Sequence, residues 1–128
     1  MAKIKDEIFD HLKEIGLVPK IDEDGDIVFK YQMMTFIVLI DEDDEYFLRV
    51  GVPNIFAADE NNRLDVLEAC NRVTCRMKVA KAYITKNDRV WLVAEQLLDK
   101  NPNYDDVIPR TIRILMDSRN AFSEEINR

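Results

Sequence analysis

The stretch Met34–Val52 constrains the fold of this chain more than any other. Phe36, Ile37, Val38, Leu39 and Ile40 are apolar at successive positions. Side chains alternate between the two faces of a strand, so neither face of this one is addressed to water. Five carboxylates, Asp41–Glu45, follow at once. Tyr46–Val52 then returns as a second strand, with Arg49 and Gly51 interrupting one face. The pattern predicts a hairpin closed by an acidic turn, with apolar surface that needs helices laid on it.

Helical patterns lie on both sides. Ile4, Ile8, Leu12 and Ile15 recur at helical spacing over Lys3–Ile15, and Gly16 with Pro19 ends the run. Arg63–Met77 carries Val66, Cys70, Val73 and Met77 on one stripe, with Leu67 beside it and Asn71 and Thr74 on a polar flank. The last helix takes Asp106 as its N-cap, which puts Pro109 in the first turn. Ile108, Ile112, Leu115, Arg119, Phe122 and Ile126 then form its stripe. Strand patterns occur at Asp26–Gln32, joined to the hairpin as a meander, and at Lys78–Thr85 and Arg89–Glu95 around Lys86-Asn87-Asp88. Pro53–Phe56 and Leu97–Tyr104 read as connectors. The expected fold is α+β: a five-stranded antiparallel sheet in the order α-β-β-β-α-β-β-α, with helices mainly on one face and one domain over residues 1–128.

Charge narrows the partners. Against 18 Lys and Arg stand 25 Asp and Glu, a net charge of −7. Such a chain repels phosphate backbones and anionic membrane surfaces, so neither nucleic acid nor membrane is expected as a partner. Asp6, Glu7 and Asp10 rule out a signal peptide at the N-terminus. The longest apolar run, Met33–Ile40, is far short of the ~20 residues that span a bilayer. Cys70 and Cys75 fall five apart on one helix, roughly 8–9 Å between Cα atoms, too far for a disulfide. They read as reduced core residues, and the expected location is cytoplasmic.

Catalytic and metal motifs do not emerge. Setting Gly25 at position 6 of a calcium loop puts Lys20 and Tyr31 where carboxylates are required, so Asp22–Asp26 reads as a solvated turn. Asp41–Glu45 is a linear acidic run, which rarely converges on one cation. His11 is the only histidine and reads as a surface or stripe-edge residue. Gly16, Gly25 and Gly51 fit no phosphate-binding loop, and Ser118 and Ser123 sit in a helix. No cofactor and no enzymatic activity are expected.

The pattern of Ile27–Tyr31, the apolar strand ending in Ile40-Asp41, Leu67 with Asn71, and Lys78–Ile84 before Val90–Ala94 resembles the YbjN family over about residues 4–122. Members are described as "putative sensory-transduction regulators". The resemblance implies a domain similar in fold to type III secretion chaperones, which hold partner polypeptides and commonly dimerise. It supplies no catalytic residues, and Asn71 reads as structural. The expected function is therefore a non-enzymatic protein-interaction module, chaperone-like or regulatory, pairing as a homodimer or with another protein. The candidate contacts are Phe36, Val38, Ile40, Phe47, Arg49 and Trp91. Trp91 reads either as a core anchor or as a contact for a partner. The alternative is a small-ligand sensor with its cleft between sheet and helices, and a lesser one is a metal-dependent enzyme using the acidic turns.

Overall fold

The computed structural model describes residues 2–128. In chain order the elements are α1 (Ala2–Glu14), β1 (Lys20–Ile21), β2 (Ile27–Tyr31), β3 (Met34–Leu39), β4 (Phe47–Ala57), α2 (Arg63–Arg76), β5 (Ala80–Ile84), β6 (Arg89–Leu97) and α3 (Tyr104–Ile126). The strands form one antiparallel sheet in the order β1-β2-β3-β4-β6-β5.

The sheet has six strands where the sequence pattern predicts five. The extra strand, β1, is only Lys20 and Ile21, paired with Val28 and Ile27. Two residues carry no periodicity, so pairing alone defines them. A second difference is that Pro53–Phe56 belongs to β4. The ladder to β6 shifts register between Val52 and Phe56, and Asn54 takes a left-handed φ of 53°. Such an irregularity leaves a position without a ladder bond, which is where proline is tolerated in a sheet. Beyond it Phe56 packs its ring against Phe122, centroids 5.6 Å apart.

Helix α3 also begins earlier than its sequence suggests. Asn103 is the N-cap residue, and its carbonyl accepts from the N–H groups of Asp106 and Val107. Pro109 consequently lies inside the helix, where its missing N–H forgoes a backbone bond. Helix α1 ends as its sequence predicts: Gly16 adopts φ +92°, and the Leu17 N–H donates to Leu12 O.

The core lies between one face of the sheet and the helices. Ile27, Phe29, Phe36, Val38, Leu48, Val50, Val52, Val90, Leu92 and Ala94 point into it from the strands, and all are buried. Ile8 and Leu12 of α1, Val66, Ala69 and Val73 of α2, and Ile108, Leu115 and Phe122 of α3 meet them. Phe29 and Phe36 are cross-strand partners whose rings stack 5.1 Å apart and 4° from parallel. Each large side chain enclosed here contributes roughly 1.5–3 kcal/mol.

The two edges of the sheet differ. On β5, Thr74 of α2 accepts the Ala82 N–H at 3.0 Å and donates to the Ala82 carbonyl at 3.4 Å. That hydroxyl occupies the groups to which another strand would bond. The opposite edge ends in the two exposed residues of β1.

Candidate interaction surface

Register defines what the helices leave uncovered. Phe36 and Val38 face the core, so Thr35, Ile37 and Leu39 of β3 face away. Cross-strand pairing extends this set: Ile37 lies opposite Val28 on β2 and Gly51 on β4, and Gly51 lies opposite Val93, itself paired with Lys81. A parallel row runs from Leu39 to Arg49 to Glu95. Tyr83 pairs with Trp91, and Phe47 with Leu97. Ile37, Leu39, Phe47 and Trp91 are all half-buried, whereas Leu97 is 83% exposed.

The absence of a side chain at Gly51 lets this surface close up. A Cβ there would stand 3.3 Å from the Leu92 carbonyl and 3.3 Å from Val93 Cγ1. Val93 is thereby buried although no helix covers it.

At the centre is an ion cluster. Glu95 accepts from Arg49 Nε and from Lys81 Nζ, each at 2.6 Å. The Lys81 hydrogen bond, and then that of Arg49, holds the Glu95 carboxyl below its ordinary range, against the opposing effect of burial. The Arg49 guanidinium also lies over the Phe47 ring, 5.1 Å from its centroid. Leu39, Arg49, Lys81, Tyr83, Val93 and Glu95 line a shallow depression of about 350 Å³. Trp91 flanks it, and its Nε1–H donates to Asn54 Oδ1 at 3.2 Å. The arrangement offers apolar side chains, aromatic rings and both signs of charge within one sheet face.

The six candidate contacts divide between the faces. Phe47, Arg49 and Trp91 lie on the uncovered face. Phe36 and Val38 do not: both are enclosed in the core, at 0% and 2% exposure. Ile40 is half-buried against the same core, and its N–H donates to Asp26 Oδ1 at 2.8 Å. The apolar side chains that β3 turns to the open side are instead Ile37 and Leu39. When every position of a strand is apolar, alternation cannot say which parity meets the helices. Arg49 and Gly51 on the returning strand carry the missing signal, because register places them beside Leu39 and Ile37.

Other candidate groups resolve as follows. His11 is buried rather than at a surface; it extends the stripe of Ile8 and Leu12. Its Nδ1 lies 3.6 Å from Asp105 and 3.9 Å from Glu14, while Nε2 has no hydrogen-bond partner among the described residues. Cys70 is a core residue whose thiol burial pushes up to about 11, but Cys75 is exposed, contrary to the reading of both as core. Asp22, Asp24 and Asp26 gather within 4.8 Å of one another. Their oxygens are partly committed to folding the turn: Asp22 Oδ1 accepts the N–H groups of Asp24 and Asp26. In the second acidic turn Asp41 and Asp44 likewise accept the N–H groups of Asp43 and Tyr46. A groove of about 520 Å³ opens between sheet and helices, lined by Ile15, Leu17, Tyr31, Ile112 and Met116 with Arg113 and Asp117. Among the described residues no helix is long and apolar enough to cross a membrane.

Two solved structures share this architecture. An uncharacterized protein from Methanothermobacter thermautotrophicus is similar with a TM-score of 0.67 at 15% identity, over 97% of this chain and 96% of its own. YbjN from E. coli, described as "a putative transcription regulator", is similar with a TM-score of 0.64 at 10% identity, over 94% of this chain and 87% of its own. At these identities the likeness is one of fold. No curated protein matches the sequence. The family model for YbjN, described as "Putative bacterial sensory transduction regulator", matches residues 5–127. By this match over nearly its whole length, the chain belongs to the YbjN family.

Proposed function

We propose that this chain is a non-enzymatic regulatory module that works by protein association, and that two copies pair through the helix-free face of the sheet. The carrying observation is that face: Ile37 and Leu39 stand beside Trp91, Tyr83 and Phe47 around the Arg49–Glu95–Lys81 cluster. Half-buried apolar residues with aromatic and Arg neighbours are what interfaces enrich. A two-fold dimer must present one patch to itself, and a cluster holding both signs of charge can set the carboxylate of one copy against a cation of the other. The match to a regulator family and two free cysteines accord with a regulatory role in the cytoplasm.

Light scattering at micromolar concentration tests the proposal. The wild-type chain runs as a dimer, and Leu39→Lys runs as a monomer with unchanged circular dichroism. A wild-type monomer, or a dimer indifferent to Leu39→Lys, refutes it.

A second reading, small-ligand sensing, is supported by the groove between Tyr31 and α3, whose volume of about 520 Å³ suits a metabolite. Thermal stabilisation by a metabolite, lost in Met116→Glu, distinguishes it.

A further inference from the structure

A separate surface, remote from the sheet face, carries its own chemistry. The end of α2, the segment that follows it and the first half of α3 border an open groove of about 590 Å³. Four cations line it, Arg76, Lys78, Arg110 and Arg113, against the single carboxylate of Asp117. Met77, Pro109 and Ile114 supply apolar lining. In a chain of net charge −7, such a concentration of positive charge departs from the surface around it.

The cations are not equally engaged. Arg76 is bound to Glu124 at 2.9 Å and to Glu125 at 3.5 Å. Among the described residues Arg110 pairs with Asp106 alone, at 3.6 Å and on the exposed surface, where such a pair contributes little. Lys78 and Arg113 have no carboxylate partner among the described residues. Three of the four cations lining the groove thus have no strong carboxylate partner among the described residues.

The backbone that presents Lys78 is strained. The Ala80 N–H donates to the Lys78 carbonyl at 2.7 Å, closing a three-residue turn around Val79 at φ +68°. A turn of this hand is rare, and a β-branched residue at positive φ is an outlier. Strain of this kind costs on the order of 1–3 kcal/mol and tends to gather at functional sites.

We propose that this groove binds a small phosphate monoester with an apolar or aromatic body. Lys78, Arg110 and Arg113 supply cationic donors for the three terminal oxygens of such a group, where a carboxylate offers only two. Met77, Pro109 and Ile114 accept the body. The site is independent of the proposed dimer face, so either can fail without the other.

The test is a titration of the ¹⁵N-labelled full chain with AMP and, separately, adenosine, followed by NMR. AMP shifts amides of Met77–Ala80 and Arg110–Asp117, adenosine binds at least tenfold more weakly, and Lys78→Ala/Arg113→Ala weakens AMP at least tenfold while keeping the wild-type spectrum elsewhere. The salt dependence is a second readout: AMP affinity falls as sodium chloride rises. Equal binding of adenosine, unchanged AMP binding in the double variant, or shifts centred elsewhere overturns the proposal, as does the lack of any shift at millimolar AMP.

Discussion

The two faces of the sheet are built from the same strands and by opposite rules. On the inner face apolar residues occupy nearly every position, and the helices shut them from water. On the outer face apolar positions alternate with Arg49, Glu95 and Lys81, and Val93 and Ile37 close up over the bare Gly51. Burial on the inner side therefore stabilises the fold, whereas the outer side is only partly satisfied within one chain. The difference places the enclosed core on one side and leaves the other as the candidate surface for the proposed association.

The largest expected effect tests the inner face. Phe36→Ala removes a ring stacked on Phe29 in a fully enclosed site and costs about 3–5 kcal/mol in chemical denaturation. Its outer neighbour Ile37→Lys changes monomer stability by less than about 1 kcal/mol, since the longer side chain reaches water, but it breaks the proposed dimer. Similar losses at both positions would erase the contrast between the faces.

A smaller effect concerns the edges. Thr74→Val removes the hydroxyl that bridges the Ala82 N–H and carbonyl, at a cost of about 1–2 kcal/mol. Because β5 then presents unpaired groups, larger species are expected on gel filtration at high concentration. A variant as stable and as uniform as the wild type would show that α2 protects the edge by bulk alone.

The smallest effect comes from the ion cluster. The folded state holds Glu95 below its ordinary value of about 4.5, so the stability it contributes is present above that value. That contribution is lost as pH falls through the depressed folded value. Arg49 and Lys81 are about half-exposed, so solvent screens the pair and Glu95→Gln costs about 0.5–1 kcal/mol at neutral pH. The variant's deficit should shrink below about pH 4.5, as equilibrium unfolding across pH can measure. A deficit constant with pH would mean that the cluster acts through packing rather than charge.

Much of this fold is legible in the sequence because most elements carry a strong period. The stripes on α1, α2 and α3 and the alternation in β2, β5 and β6 all correspond to observed elements. Failures occur where local signals conflict or vanish. Proline and asparagine at positions 53 and 54 look like a loop, yet an irregular ladder carries them within β4. Asp106 looks like a cap, but the Asn103 carbonyl accepts the N–H groups of Asp106 and Val107, so the helix starts at Tyr104. The helix-free face is half legible: Phe47, Arg49 and Trp91 stand out by type, while an all-apolar strand hides that Ile37 and Leu39 share it. The cationic groove was not legible at all, since residues 76 and 78 meet 110 and 113 only through the packing of α2 on α3.

The single tryptophan offers the most direct test of association, because Trp91 sits on the helix-free face next to Val93, which lies in Ile37's row. Its emission should be recorded while the protein is diluted from tens of micromolar to nanomolar. A red shift on dilution, abolished in Leu39→Lys, is the predicted result. An emission maximum that stays constant across the whole range, with light scattering at the monomer mass throughout, would contradict the account.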